Sequence, residues 1–148
     1  MSLVCVQIRI DAPIERVWET VMDPHSLEKW VTIHRAVKNV SPGPLGQGST
    51  MEQVMHIRGF SFQVHWTLTE YNPPTHAEWD GRGPAHSHAK IRYELTGNGD
   101  GTDFEYFNDF AAPGGRLGNV ASRLIVGAAS EREAKNSLER LKALLERG

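Results

Sequence analysis

The sequence has a single cysteine, no block of basic residues and no long apolar run. Cys5 therefore has no partner for a disulfide within the chain or for a cysteine-based metal site. The 16 basic residues against 18 acidic ones give a formal charge of −2, without the basic patch expected of a nucleic-acid-binding protein. Apolar and polar residues alternate over the first twenty positions, which is typical of neither a signal peptide nor a membrane span. We expect no nucleic-acid partner, no stable membrane insertion and a cytoplasmic location.

The length of 148 residues fits one domain that buries roughly 70% of the surface of the unfolded chain. Neither repeats nor low-complexity segments divide the sequence. We therefore predict a single domain over residues 1–148, as a monomer or a homodimer. Within it, Cys5 is interpreted as a small buried residue on a strand.

The N-terminal part predicts one strand followed by two short helices. Residues 4–10 alternate between apolar and polar side chains, the period of a half-buried strand. Pro13 suits the first turn of a helix, and residues 14–22 place apolar side chains at helical spacing. A further helical turn is predicted over residues 25–30, where Leu27 and Trp30 turn the same way.

The middle of the chain is rich in predicted strands. They cover residues 33–40, 51–57, 60–69, 77–80, 88–95 and 104–110. Gly59 and the segment 98–101 are turn signals that predict hairpins. Antiparallel strands with helices at the beginning and the end indicate an α+β domain whose sheet has about six to seven strands.

The C-terminal segment predicts one long helix. About thirty residues after Gly115 contain no proline, and apolar side chains recur at alternating steps of three and four. The stripe consists of Val120, Leu124, Gly127, Ala134, Leu138, Leu141 and Leu145. Glu131 is the polar member of the series, so it is predicted either to face the sheet as a general acid or base or to lie in water beside Lys135.

The inward face of the predicted sheet combines aromatic and polar residues. A buried amide or hydroxyl without a hydrogen bond costs roughly 1–3 kcal/mol, so such residues need partners in the protein, in water or in a ligand. An apolar pocket with a few converging polar groups is typical of a small-molecule site. We predict that a ligand contacts Gln53, Met55, Phe62, Trp66, Trp79, Ile91, Tyr93, Tyr106, Asn108, Leu117, Leu124 and Ala128. The alternative is that the two tyrosines pack in the core and that Gln53 and Asn108 bond each other or the backbone.

Six local motifs follow one another along nearly the whole chain. They lie in residues 10–18, 23–30, 43–48, 71–79, 100–102 and 113–115. In this order they resemble the START-like superfamily, also called the SRPBCC or helix-grip superfamily, and within it the polyketide cyclase/dehydrase-like branch. The resemblance implies a strongly bent antiparallel sheet wrapped around a long C-terminal helix, with a cavity between them that in relatives takes hydrophobic or amphipathic molecules. It implies no shared catalytic signature.

Three classes of function stay open. The first is binding of a small hydrophobic or amphipathic ligand of lipid, polyketide or other aromatic or isoprenoid type, without a cofactor. The second is a cyclase, aromatase or dehydrase that works by confinement and a general acid or base. Its candidate catalytic residues are Tyr93, Tyr106, Asn108 and Glu131. The third is a co-chaperone-like interaction module, which predicts a large exposed apolar patch.

The seven histidines raise the possibility of a metal site. His86 and His88 are predicted to share one strand face. With His56 and His65 they leave a cluster on the outer surface open, but not in the cavity, and no helical His-Glu-x-x-His pattern or dense set of carboxylates accompanies them. We therefore predict no metal site.

Overall fold

A strand at the N-terminus is followed by helices and then by an uninterrupted run of strands, as the alternation of residues predicts. The computed structural model describes residues 2–111 and 130–147. The strands are β1 (Ser2–Ile10), β2 (His34–Lys38), β3 (Thr50–Ile57), β4 (Phe60–Asn72), β5 (His76–Arg82), β6 (His88–Asn98) and β7 (Gly101–Ala111). The helices are α1 (Ile14–Met22), α2 (Leu27–Trp30) and α3 (Glu131–Glu146), with short 3-10 turns at Pro24–Ser26 and Pro84–His86.

The strands form one seven-stranded sheet in the order β1-β7-β6-β5-β4-β3-β2. Every neighbouring pair is antiparallel. The sheet curls around α3, which confirms the predicted α+β helix-grip fold and its two short helices after the first strand.

The hairpin between β3 and β4 sets the register between these two strands. Arg58 and Gly59 have φ values of 53° and 81°, the two positive values that a tight two-residue hairpin turn requires. Met55 consequently pairs with Phe62, and Met51 pairs with Trp66. Because alternate residues share one face, these side chains line the concave side of the sheet together.

Helix α3 supplies the second layer of the core. Its buried residues are Ala134, Ser137, Leu138, Leu141 and Leu145. The C-terminal end of the helix is tied to the end of β1, because Lys142 Nζ donates to the Arg9 carbonyl oxygen at 2.8 Å and the Asp11 amide donates to Glu146 Oε2 at 2.8 Å.

The predicted C-terminal helix is confirmed over Glu131–Glu146, but it does not run unbroken through Ser130. Ser130 has an extended backbone, with φ −69° and ψ 156°, and its Oγ accepts a hydrogen bond from the Glu133 amide at 3.3 Å. This is an N-cap, and the sequence carried its signature, serine followed three residues later by glutamate. Apolar periodicity alone does not detect a cap. The predicted positions Leu117, Val120, Leu124, Gly127 and Ala128 lie outside the described residues.

Two side chains are more exposed than the sequence predicts. Cys5 is exposed rather than buried, because the parity that turns Val4 and Val6 inward turns Cys5 outward. The alternation along β4 predicts that Phe60 faces inward with Phe62, but Phe60 is 51% exposed because it opens β4 at the tip of the hairpin.

Little large apolar surface is exposed in the described part of the chain. Its large hydrophobic residues on the surface are Leu3, 70% exposed on β1, and Phe60 on β4. These two lie on strands that are not neighbours in the sheet, so they form no shared patch. Within residues 2–111 and 130–147, moreover, no helix has both the length and the apolarity to cross a membrane.

We predict that Gly81 on β5 must lack a side chain to leave room for the Trp66 indole. A Cβ at this position would meet the indole ring, with Cε3 at 2.6 Å, far inside van der Waals contact. Gly81→Ala should therefore lower the free energy of unfolding by about 1–3 kcal/mol in urea titrations. Gly97→Ala on β6 is the matched control, since its Cβ would meet nothing within 4 Å. Equal effects of the two substitutions would contradict this packing.

Candidate ligand-binding cavity

A cavity of about 120 Å³ lies between the concave face of the sheet and helices α2 and α3. An engineered cavity of about 150 Å³ in another protein admits benzene, so the enclosed space here approaches the size of one aromatic ring. Every predicted ligand contact in the described part of the chain lines it, namely Gln53, Met55, Phe62, Trp66, Trp79, Ile91, Tyr93, Tyr106 and Asn108. Leu117, Leu124 and Ala128 lie outside the described residues, so their contacts stay predictions.

The cavity exists because the side chains on the inner face of α3 are small near its N-terminal end and larger further along the helix. Ser130, Ala134 and Ser137 line the cavity at the N-terminal end. One and two turns further on, Leu141 and Leu145 are buried in the core instead. Interiors are otherwise close-packed, so the small side chains leave the volume that leucines fill elsewhere on the same helix.

A chain of hydrogen bonds fixes the amide of Gln53 in the cavity wall. Trp66 Nε1 donates to Gln53 Oε1 at 2.9 Å, and an indole N–H can only donate, so the amide oxygen must face Trp66. Gln53 Nε2 therefore donates to His34 Nδ1 at 2.9 Å. His34 must accept at Nδ1, which is the neutral imidazole with its proton on Nε2.

Burial lowers the pKa of His34 below its ordinary value of 6.5, and the charge of Glu28 opposes this effect only partly. The low pKa agrees with the neutral ring that Gln53 requires. The sequence left open side-chain bonds from Gln53 to Asn108 or to the backbone, but among the described residues the partners of Gln53 are Trp66 and His34. The sequence did not predict the bond to His34.

Tyr93 and Tyr106 form a protonated pair on the opposite wall. They face each other across β6 and β7 with ring centroids 6.2 Å apart. Burial raises the pKa of Tyr106 to about 12, although a hydrogen bond from the Asn108 amide lowers it. Burial, with the Tyr106 charge as a lesser cause, raises the pKa of Tyr93 further still. Both phenols therefore stay protonated at neutral pH and can donate but not act as bases.

Two buried polar atoms of the lining have no hydrogen-bond partner in the described part of the chain. They are Asn108 Oδ1, on a residue 6% exposed, and Trp30 Nε1, on a residue 2% exposed. A buried polar atom left unpaired costs about 1–3 kcal/mol, and most such atoms in native proteins are paired. One acceptor and one donor on residues that line the cavity are thus left unpaired.

The carboxylate that reaches the cavity belongs to Glu133, not to Glu131. Glu131, the first residue of α3, has a side chain 62% exposed with its carboxylate 3.9 Å from Lys135 Nζ, the alternative that the sequence left open. Glu133 lines the cavity, and its Oε1 accepts from Thr32 Oγ1 at 2.6 Å. Thr32 also donates its amide to Ser137 Oγ at 3.1 Å. The segment after α2 is thereby fastened to α3.

The histidines that suggested a metal site do not share a strand face. His86 lies in a 3-10 turn with φ 62°, whereas His88 opens β6 and bonds Asp80. A different group, Glu70, His76 and Glu78, brings possible ligand atoms within 4.8 Å of one another. Both nitrogens of His76 are already hydrogen-bonded, to Glu70 at 2.7 Å and Glu94 at 2.5 Å. The group therefore acts as a set of polar contacts between strands.

The curled sheet, the helix that it grips and the cavity between them define a helix-grip domain. Over residues 1–146 the sequence matches the family described as polyketide cyclase/dehydrase and lipid transport. The chain belongs to this family, as the resemblance of its motifs predicted.

Individual relatives are distant. Toxin Rv0910 of Mycobacterium tuberculosis is 24% identical over 139 residues, which is 94% of each chain. Among solved structures, the Zhui aromatase/cyclase from Streptomyces sp. R1128 has a TM-score of 0.81 at 16% identity and covers 99% of this chain and 94% of its own. A conserved protein from Geobacillus kaustophilus has a TM-score of 0.75 at 18% identity, covering 99% and 96%. At such identities the structural likeness shows the fold alone.

The neutral His34 predicts a loss of stability in mild acid. As the pH falls through 6.5 the unfolded chain protonates His34, while the folded chain resists because its pKa is lower. His34→Asn keeps an acceptor for Gln53 but does not titrate. Its free energy of unfolding should therefore fall less than that of the wild type between about pH 7.5 and 5.5.

His76 provides a control of opposite sign. Burial alone would lower its pKa, but hydrogen bonds and charges from Glu70 and Glu94 outweigh this and raise it. Its stabilisation is full below pH 6.5 and is lost as the pH rises through the raised pKa. His76→Asn should therefore lose more stability than the wild type on acidification. Parallel pH curves for the wild type and both variants would refute these assignments.

Proposed function

We propose that the cavity binds a small hydrophobic or amphipathic molecule. The observation that carries the proposal is the carbonyl oxygen of Asn108, a residue of the mostly aromatic and aliphatic lining; this oxygen is buried and has no partner among the described residues. A ligand that fills this space buries apolar surface, the main driving force for association, and can also supply the missing partner. The description of the family, which joins lipid transport to cyclase and dehydrase activity, supports the proposal.

The size of the cavity limits which part of a ligand is enclosed. About 120 Å³ accommodates one ring or a short segment of a chain. Lining residues nearer to the surface, such as Met55, Phe62 and Ile91, are only half-buried. A longer lipid, polyketide or isoprenoid would therefore place one end in the cavity and extend past these residues.

The tryptophans offer a direct test by NMR. Of the four, Trp30, Trp66 and Trp79 line the cavity, whereas Trp18 does not. On titration with p-xylene, p-cresol or 1-octanol we expect saturable shifts of the three cavity indole N–H signals and a nearly constant Trp18 signal. Absence of shifts with all three probes, or equal shifts of all four signals, would rule out binding at this site.

A cavity-filling substitution sharpens that test. Ala89 on β6 lines the cavity, and Ala89→Leu adds three carbon atoms to the space that a ligand needs. Its affinity for p-xylene should fall at least about tenfold, as expected when added methylenes occupy a closely packed site. Ala36→Leu, at an exposed position of β2, is the matched control and should bind as the wild type does. Unchanged affinity in Ala89→Leu would contradict the proposal.

A second candidate function is proton-transfer chemistry of the cyclase or dehydrase kind. The observation in its favour is the pair of phenols of Tyr93, which is buried, and Tyr106, which is half-buried; their raised pKa values keep them protonated as donors at the cavity wall. Glu133 is the carboxylate in the described lining, and Thr32 already occupies one of its oxygens. Asn108 can orient a substrate but carries no transferable proton at neutral pH.

Removal of both phenols separates turnover from binding. For a reactive polyketide chain that is cyclised, Tyr93→Phe combined with Tyr106→Phe should lower kcat by about 100-fold or more while the affinity for p-xylene changes little. The readout is the rate of cyclised product by chromatography. Turnover that survives both substitutions would eliminate this mechanism.

A further inference from the structure

The charge of the cavity lining restricts the chemistry of its ligand. In the described part of the chain, the lining contains no lysine, arginine or histidine. Its one carboxylate, Glu133, adds negative charge near Thr32. An anion transferred from water into such a site pays a large desolvation penalty, with no cation in the described lining to offset it. This described part of the lining therefore disfavours fatty acids and other carboxylates.

The unpaired acceptor, Asn108 Oδ1, favours a ligand that carries a hydrogen-bond donor. Asn108 Oδ1 is buried and has no hydrogen-bond partner in the described part of the chain. A hydrocarbon, an ether or a ketone has no donor for it, whereas a hydroxyl has one.

The unpaired donor, Trp30 Nε1, favours a ligand that also carries a hydrogen-bond acceptor. Trp30 Nε1 can only donate, and it too is buried without a partner in the described part of the chain. Trp30 lies against Tyr93, with ring centroids 6.4 Å apart, and Tyr93 pairs with Tyr106 on the neighbouring strand. The Trp30 ring thus neighbours the tyrosine pair, and Asn108 lies two residues from Tyr106 on β7. A hydroxyl is the smallest neutral group that donates and accepts.

We propose that the cavity selects neutral hydroxylated molecules, that is, alcohols or phenols. The hydroxyl of the ligand donates to Asn108 Oδ1, and an oxygen atom of the ligand accepts from Trp30 Nε1. The inference rests on the proposed function, since it specifies the ligand of the same cavity. It makes Asn108 and Trp30 specificity-determining residues, and it makes the neutral phenols of Tyr93 and Tyr106 a polar surround that carries no charge to attract an anion.

Three probes of nearly equal shape test the proposal. p-Cresol, p-xylene and p-toluate carry a hydroxyl, a methyl or a carboxylate on the same methylbenzene ring. Their dissociation constants are measured from the indole signals of Trp66 and Trp79, for the wild type and for Asn108→Leu, which has nearly the same shape without the acceptor. The ratio of the p-xylene to the p-cresol dissociation constant should fall about tenfold in Asn108→Leu. p-Toluate should bind the wild type at least about 100-fold more weakly than p-cresol does.

Further variants make the test specific. Trp30→Phe keeps an aromatic ring but lacks the indole N–H, and it should also reduce the preference for p-cresol. Asn136→Leu makes the same chemical change as Asn108→Leu at an exposed position of α3 and should leave the ratio unchanged. An intact Trp18 indole signal and cooperative urea unfolding establish that each variant is folded.

The possible failures are distinguishable. The same ratio in the wild type and in Asn108→Leu, or binding of p-toluate as tight as that of p-cresol, would overturn the selectivity for hydroxyls while leaving the proposed function intact. Absence of binding by all three probes would overturn the proposed function together with this inference.

Discussion

The fold depends on the burial of one leucine stripe. Leu138, Leu141 and Leu145 of α3 are nearly inaccessible to solvent, and they cover the concave face of a sheet that has no other long helix in the described residues. Each such side chain contributes roughly 1.5–3 kcal/mol by leaving water. Lys142 bonds to the Arg9 carbonyl oxygen and Glu146 accepts from the Asp11 amide. These two hydrogen bonds hold the C-terminal end of α3 against the end of β1.

The cavity follows from the same helix at its other end. Where Ser130 and, on α3, Ala134 and Ser137 stand in place of leucine, the two layers do not interdigitate and a space remains. Thr32 fastens the segment after α2 to Glu133 and Ser137 beside this space. The small residues and the leucine stripe therefore follow one another along a single 16-residue helix, and Leu138 belongs to both the stripe and the cavity wall.

Strand parity predicted most of the site because it is a local property of the chain. Once Trp66 faces inward, period-two alternation and antiparallel pairing place Gln53, Tyr93 and Asn108 on the same side, and all of them line the cavity. His34 escaped prediction because β2 is an edge strand with a register irregularity between His34 and Ala36, and its bond to Gln53 depends on that pairing. Such long-range register leaves no periodic signal in the sequence.

The prediction for Glu131 failed for a related reason. Apolar periodicity continued across Ser130 and assigned the polar position facing the sheet to Glu131. The cap at Ser130 instead makes Glu131 the first residue of α3, and Glu133 lines the cavity. The unpaired atoms of Asn108 and Trp30 were equally invisible to the sequence, because only the packed arrangement shows which polar groups lack partners. These atoms carry the functional conclusion.

The most direct measurement of the central claim is a crystal structure of the protein grown with p-cresol. The account predicts density for one ring between the sheet and α3, with the hydroxyl about 2.6–3.0 Å from Asn108 Oδ1. A cavity filled by side chains, or a ring bound elsewhere on the molecule, would contradict it.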